Sequence, residues 1–467
     1  MKRRLSDKKR KGAVLMIMAT AMLFIVIPAV GLAVDGAVLY SIRAKLQSAT
    51  DAATVAAARS ISRGLTPSAQ YQNATLTAQR YFRANMNAAW NPISAPDPVV
   101  SFPASATPRT VVIHVESSAV APTYFMKILN VNSVTISAMS ETSRLDVKIM
   151  MVLDRSGSLA NSGSCDDLVV AANGFTDAFV DGRDQIGMVT FGTSYRVDFP
   201  IASNFKSTGG TTLPQMINNI NCIGGTNSAA AYWTAYQSLI ATPEAGVLNV
   251  ILFFTDGQPN TVHMTNMEVA GTSPCQNNAG KDGVIAPSSN GANVLGIYTP
   301  VPSGLPPVAA DQTFIANSTN CRFATNGAAN VVNDIVALTR AGAANEVDVF
   351  GNSLTGYKTG ILRTNGRIRI NDNATIVNVG INALDSAATR ARDDAASRGL
   401  NLATYAIGLS NNLGAAEDTL MNRVANTAAS PIFNSARPTG VYIRADNASQ
   451  LDEAFAQLAS EVMRFAK

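Results

Sequence analysis

Val152–Ser158, VLDRSGS, ends an apolar run, DVKIMMVL (146–153), on an aspartate and then places a serine at every second position. Such a run suits a strand of a parallel sheet, which is covered on both faces. Elements downstream alternate. A helix is predicted over 166–181, strands at QIGMVTF (185–191) and YRVDFP (195–200), and helices near 212–220 and over 227–241. VLNVILFF (247–254) reads as a strand, and a helix at 382–398, a strand NLATYAIGL (401–409) and a helix at 415–427 follow. A short strand near 441–443 and a closing helix, 448–465, complete the series. This alternation predicts an α/β fold, a doubly wound and mostly parallel sheet. Ligands of such sheets bind outside the carboxyl ends of the strands. Asp154 stands at one such end, with Ser156 and Ser158 in the loop beyond it.

Two further loops carry related chemistry. Cys222-Ile-Gly-Gly-Thr-Asn227 offers Thr226 after two glycines that permit a tight turn. Phe253-Phe-Thr-Asp-Gly257 offers Asp256 directly after an apolar strand. Two carboxylates and three hydroxyls are hard oxygen donors without His or Cys, so they favour Mg²⁺, Mn²⁺ or Ca²⁺ over zinc. Small side chains suit octahedral Mg²⁺, which keeps some waters and leaves a position for a partner. Taken singly, each motif has a plainer reading: a D-x-S-x-S can be a serine-capped helix start, and Asp-Gly is a common turn.

Together the three loops resemble the metal-ion-dependent adhesion site of a von Willebrand factor type A domain. The likeness spans 146–462 apart from an insertion, and LNLATYAIGLS and ASQLDEAFAQLASEV are similar to that family's last sheet strand and terminal helix. The resemblance implies that Ser156 and Ser158 bind the ion directly. Asp154, Asp256 and Thr226 would bind it directly or through water, and a carboxylate on a protein partner would complete the shell. The domain is expected over 146–467, with residues 258–375, rich in Gly, Asn, Ser, Pro and Ala, as an insertion too long for a plain loop. Because it follows the Asp256 loop, it is expected to overhang or flank the site. The four cysteines allow three connectivities. Cys275 and Cys321 both lie in the insertion and form the natural pair. A Cys165–Cys222 bond would staple two of the three loops; the plainer reading of Cys222 is a buried small apolar residue.

Upstream, residues 1–11, MKRRLSDKKRK, hold seven Lys or Arg and one Asp, a net +6. The whole chain is +4, so the remainder is −2 and presents no basic surface for nucleic acid. After this basic segment (1–12), residues 13–34 are uncharged and match one membrane-spanning helix. The positive-inside rule puts the N-terminus in the cytoplasm and the bulk of the chain beyond the membrane; in a bacterial chain that is the inner membrane, with the periplasm or the outside beyond it. A cleaved signal peptide ending near Ala29-Val30-Gly31 is the rival reading.

Beyond the span, Val38, Ile42, Leu46, Ala49, Ala53 and Ala56 mark one helical stripe, narrow enough for close packing on another helix. A second helix is predicted from Thr66-Pro67 with Tyr71, Ala74, Ala78, Tyr81 and Phe82 on its apolar face. Val99–Phe102, Thr110–Glu116 and Val134–Ala138 alternate as strands, Val111, Ile113 and Val115 facing in and His114 out; PTYFMKIL (122–129) reads as a short intervening helix. Residues 35–145 thus form a small α+β stalk module. The basic start, single span, Asp35, Leu46-Gln47, Asp51-Ala52-Ala53 and the Phe-Met-Lys-Ile-Leu segment (125–129) resemble the TadE/TadG-like proteins of tight-adherence (Flp) pili, over residues 8–142. Pilin-type processing needs a glutamate five residues after a glycine; Gly12 is followed there by Ile17.

No enzyme signature stands out. The two histidines, His114 and His263, lie in no nucleophile–base setting, His263 reading as a surface loop residue. No G-x-x-x-x-G-K loop is present. The favoured expectation is a non-enzymatic, membrane-anchored binding protein of a pilus system that grips an acidic partner, a pilus component or a surface ligand, through Mg²⁺ (or Mn²⁺/Ca²⁺). The alternatives are an envelope scaffold whose metal site is incidental, and a membrane A-domain serving an AAA+ ATPase.

Overall fold

The computed structural model describes residues 14–61, 66–86, 93, 95–105, 109–207, 209–244, 247–271, 277–287, 294–298, 321–323, 330–337, 346–364, 366–370, 372–410 and 415–465. The chain divides into two compact units, one of residues 1–106 and 110–144, the other of 107–109 and 145–467.

In the first unit, α1 (Val14–Ser60) is long and apolar enough to cross a membrane. A π turn at Met22–Val26 precedes Pro28, whose missing N–H an unbroken α-helical ladder could not use. Further along, Ile42, Leu46, Ala49 and Ala53 are fully buried. Leu46, Ala49 and Ala53 join Ala74, Ala78 and Phe82 of α2 (Pro67–Met86) and Val111, Ile113 and Val115 of the sheet in one core. Tyr81 departs from expectation: it is exposed, and Phe82 fills the position. Successive helical residues diverge by about 100°, so only one of the two can face the stripe.

Strands β1 (Val99–Ser101), β2 (Thr110–Pro122) and β3 (Ser133–Leu145) form a three-stranded sheet in that order. The helix expected over 122–129 is largely absent. β2 continues through Pro122, and only Met126–Leu129 makes a 3₁₀ turn, ended by Asn130 in the left-handed conformation (φ 64°). The physical cause lies in α1. The Asp35 carboxylate accepts the backbone N–H groups of Tyr124 (2.9 Å), Phe125 (2.9 Å) and Met126 (2.7 Å) and so fixes the approach to the turn.

The second unit is built on a six-stranded sheet. Its elements are β4 (Val147–Asp154), α3 (Gly157–Ser162), α4 (Cys165–Asp177), β5 (Gln185–Phe191), β6 (Tyr195–Ala202), α5 (Leu213–Asn218), α6 (Ser228–Ile240) and β7 (Leu248–Thr255). After the insertion come α7 (Asn373–Ser397), β15 (Leu402–Leu409), α8 (Ala415–Ala425), β16 (Val441–Ala445) and α9 (Leu451–Phe465). Strand order is β16-β15-β7-β4-β5-β6. Pairings are parallel throughout except at the β6 edge. Every residue of β4 is buried, Lys148 included; its ammonium donates to Leu239 O (3.0 Å) and Thr242 Oγ1 (2.7 Å). Alternate side chains of β4 feed two cores: Met150 and Val152 join the one with α6 and α7, and Ile149, Met151 and Leu153 the one with α4 and α9. α7 starts nine residues before the predicted 382, because Asp372 caps it by accepting the Thr375 N–H (2.9 Å).

The insertion contributes a second sheet. β8 (Val262–Gly271), β9 (Asn277–Pro287), β10 (Val294–Tyr298), β11 (Cys321–Phe323), β12 (Asn330–Ala337), β13 (Arg363–Thr364) and β14 (Arg367–Ile370) lie in the order β11-β10-β9-β8-β12-β14-β13. Val262, Met264, Met267, Ile285, Ile368 and Ile370 are buried in the core that holds α6 and α7. The insertion is therefore part of this fold's packing.

Candidate metal centre

Chain order puts β5 and β6 on one side of β4, and β7, β15 and β16 on the other. The carboxyl ends of β4 and β7 thus flank the switch point, where a crevice opens between diverging loops. Asp154 ends β4, and Asp256 immediately follows β7.

Four of the five candidate ligands meet directly. Ser158 Oγ donates to Asp256 Oδ1 (2.6 Å), Ser156 Oγ reaches the same oxygen at 3.4 Å, and the two serine hydroxyls are 2.9 Å apart. Asp154 Oδ1 accepts the Ser156 N–H (2.8 Å), and its Oδ2 accepts the Thr255 hydroxyl (2.5 Å). Thr226 is brought alongside by its backbone. Gly157 N–H donates to Gly224 O (2.9 Å) and Ile223 N–H to Arg155 O (2.6 Å), tying the Thr226 loop to the serine loop. Asn260 accepts the Thr226 N–H through Oδ1 (2.7 Å) and donates its own N–H to Thr226 O (3.2 Å).

The electrostatics are unbalanced. Asp154 and Asp256 are both fully buried. Burial, with the charge of Asp256 second, pushes the Asp154 carboxyl up to about 7, against the smaller pull of Thr255 and Ser156. Burial also raises Asp256, against its bonds from Ser158 and Ser156. Asp256 Oδ2 is buried with no hydrogen-bond partner. An unpaired carboxylate oxygen beside a second buried carboxylate is costly unless a cation or proton compensates it. The donor set therefore fits a hard divalent ion. Among the described residues no group of three or more His, Cys, Asp or Glu gathers; this site has two carboxylates, and hydroxyls supply the remaining oxygens.

Several supporting residues carry no sequence signal of their own. Thr255 orients Asp154, Thr193 Oγ1 accepts the Gly225 N–H (2.9 Å), and Arg155 lies buried beneath the loop with Nε on Thr190 Oγ1 (3.1 Å). Cys165 and Cys222 form a disulfide with Cα atoms 6.1 Å apart, joining the start of α4 to the stretch of chain leading into Thr226. Cys275 lies outside the described residues, so the expected Cys275–Cys321 pair does too. His263 is a correction: it sits half-buried on β8, its Nδ1 3.0 Å from Tyr195 Oη, because β8 follows directly on Asn260 and Thr261, whose side chains both accept the Thr226 N–H.

Residues 149–258 match the von Willebrand factor type A domain. The chain carries a von Willebrand factor type A domain. Residues 12–60 match the Flp pilus-assembly TadE/G-like family. Solved structures with similarity include the PilB minor pilin from Streptococcus sanguinis, 14% identical, covering 80% of this chain and 79% of that one at a TM-score of 0.38. The pilus adhesin SpaC from Lactobacillus rhamnosus GG is 13% identical, covering 79% and 34% at 0.36. The vWF domain of the type V pili tip protein Mfa5 from Porphyromonas gingivalis is 13% identical, covering 69% and 97% at 0.35. No curated protein matches the chain. A TadE/G-like segment thus precedes an A domain in a single polypeptide, a combination that supports a role in pilus adhesion or assembly.

Proposed function

We propose that this chain is a non-enzymatic, membrane-anchored binding protein of a tight-adherence pilus system. Its A domain grips an acidic group on a protein partner through a divalent metal. The observation that carries this reading is the meeting of Asp154, Ser156, Ser158 and Asp256 at the switch point, with one buried Asp256 oxygen unpaired. Asp154, Ser156, Ser158, Thr226 and Asp256 would hold Mg²⁺, with Mn²⁺ or Ca²⁺ as substitutes. The ion supplies a Lewis-acidic position for a partner carboxylate. The residues themselves hold the ion in a recess whose second carboxylate, Asp154, is oriented by Thr255.

The basic N-terminus, the apolar first half of α1 and the TadE/G-like match support an inner-membrane anchor with the A domain on the far side. The scaffold alternative draws on the alanine stripe of α1 as a face for packing against related subunits. That stripe is covered within the stalk by Ala74, Ala78 and Phe82, which removes its main motive.

The test is a count of surface pili on cells carrying Asp154→Ala, Ser156→Ala and Ser158→Ala together, at normal protein level. Loss of pili supports metal-mediated gripping inside the envelope during assembly. Normal pili with lost surface attachment move the grip to adhesion. Normal pili and normal attachment overturn the reading.

A further inference from the structure

The stalk carries an apolar tip that its own core does not use. Tyr124 (52% exposed), Phe125 (41%), Ile128 (84%) and Leu129 (67%) stand together around one 3₁₀ turn, with exposed Lys127 among them. Four large apolar side chains on a six-residue turn are unusual on a water-facing surface, where exposed apolar residues are commonly scattered.

The turn's position is fixed by α1. The buried Asp35 carboxylate takes three successive backbone N–H groups, from Tyr124, Phe125 and Met126. One turn closer to the N-terminus, the Phe125 ring lies on Gly31, so close that a Cβ at Gly31 would stand 2.7 Å from it. Gly31 lies four residues inside Asp35, about 6 Å along the helix at 1.5 Å per residue. That depth matches the roughly 5–10 Å to which apolar faces enter the headgroup and acyl boundary of a bilayer. The helix surface flanking Gly31, Val30 and Leu32, is itself exposed and apolar.

We propose that the 124–129 turn is a second membrane contact, a wedge seated in the outer boundary of the same bilayer that α1 crosses. Its occupant is lipid: Phe125, Ile128 and Leu129 meet acyl chains, and Lys127 reaches back to the phosphates. A single helix can tilt and rotate in a bilayer. A wedge latched to that helix through Asp35 gives the stalk a second point of attachment and restricts both motions. The proposal rests on reading residues 13–34 as a membrane span.

The test uses the full chain with Trp90→Phe and Trp233→Phe, reconstituted in phosphatidylethanolamine and phosphatidylglycerol vesicles with and without lipid brominated either near the glycerol end of its chains, the depth of the wedge, or near their methyl end, the depth of Leu23. Three single-tryptophan variants are compared. Leu23→Trp reports the span and Ile128→Trp the wedge. Met139→Trp reports an exposed strand position whose carbonyl is bonded to Gln47, about 18 Å beyond Asp35 along α1. The expected result is loss of emission on bromination for Leu23→Trp and Ile128→Trp, and none for Met139→Trp. Quenching at Leu23→Trp alone overturns the wedge and leaves the span standing. No quenching at Leu23→Trp removes the span and the wedge with it. Equal quenching at Ile128→Trp and Met139→Trp also overturns the wedge, because the whole module would then lie on lipid.

Discussion

Ser158 Oγ donates to Asp256 Oδ1 at 2.6 Å, while Oδ2 of the same carboxylate is buried without a partner. Hydroxyls alone therefore leave this carboxylate half satisfied. Mg²⁺ is expected to raise the melting temperature of the wild-type chain, because the proposed site exists in the folded state only. At a hundred times its dissociation constant the gain is about 2.7 kcal/mol, or roughly 4 °C for a domain of this size. Asp256→Ala is expected to abolish the Mg²⁺ response in calorimetry. An unchanged response would mean that the ion sits elsewhere.

The dependence on pH should disappear with metal. Without metal, the folded Asp154 holds its proton up to about pH 7, whereas its ordinary value is 3.8. Between those values the native state binds a proton that the unfolded state has released. This contribution is fully present below the unfolded value and is lost as pH rises through the folded one. In chelator, the urea midpoint is therefore expected to fall between pH 5 and pH 8, and Asp154→Asn should flatten that fall. In excess Mg²⁺ the slope should vanish, since the ion displaces the proton: binding strengthens by about tenfold per pH unit up to 7 and offsets the fall. A chelated midpoint that rises with pH in wild type and in Asp154→Asn alike would contradict this picture.

The Cys165–Cys222 bond closes a loop of 57 residues and anchors the chain four residues before Thr226. Replacing both cysteines by serine is expected to cost about 2–4 kcal/mol. It should also weaken Mg²⁺ binding, because the Thr226 loop loses its fixed end. Parallel denaturation and metal titration of the double variant check both effects. A stability loss with unchanged affinity would confine the bond to a structural role.

Much of this architecture can be read from residue pattern, and the reason is specific. β4 is buried along its whole length, so its near-continuous apolar run could hardly be another element. The strand-end oxygens followed from the same logic, since a strand that stops on Asp154 must present it at the sheet's edge. The insertion was harder to read. VHMTNMEVAG mixes polar residues into β8, and its pairing with β9 slips register twice, so no period of two survives in the sequence. Its packing depends on Val262, Met264 and Met267 reaching a core shared with α6 and α7, which are distant in sequence. The 122–129 segment misled for a similar reason: the carboxylate that organises it sits about ninety residues upstream, at Asp35. Thr255 and Asn260 act through single hydrogen bonds in loops, and no spacing rule marks them.

Arg423 and Asp385 form a buried bidentate pair, Nε to Oδ1 at 2.8 Å and Nη2 to Oδ2 at 2.5 Å, with the guanidinium 4.1 Å from the Tyr357 ring centre. This pair joins α8 to α7. Asp385→Ala strands a buried charge and is expected to cost about 3–5 kcal/mol. Adding Arg423→Met should recover much of that loss, because it removes the orphaned charge while keeping apolar contact with Tyr357. Denaturation of the single and double variants reads the difference; a double variant as unstable as the single one would argue against the charge explanation.

Gly225 separates fold from site most cleanly. A Cβ there would stand 2.3 Å from Thr261 Oγ1 and 3.0 Å from Asn260 Oδ1, the two groups that accept the Thr226 N–H. Neither strand nor helix depends on this glycine. Gly225→Ala is therefore expected to push the Asn260–Thr261 clamp away from Thr226, at a cost of about 1–3 kcal/mol from overpacking. Mg²⁺ affinity should fall more than folding stability does, because the displaced residue is a proposed ligand. Gly209→Ala, where a Cβ meets nothing within 4 Å, serves as the control and should alter neither. If Gly225→Ala bound Mg²⁺ normally, Thr226 would be removed from the ligand set, and the ion would rest on the two aspartates and two serines alone.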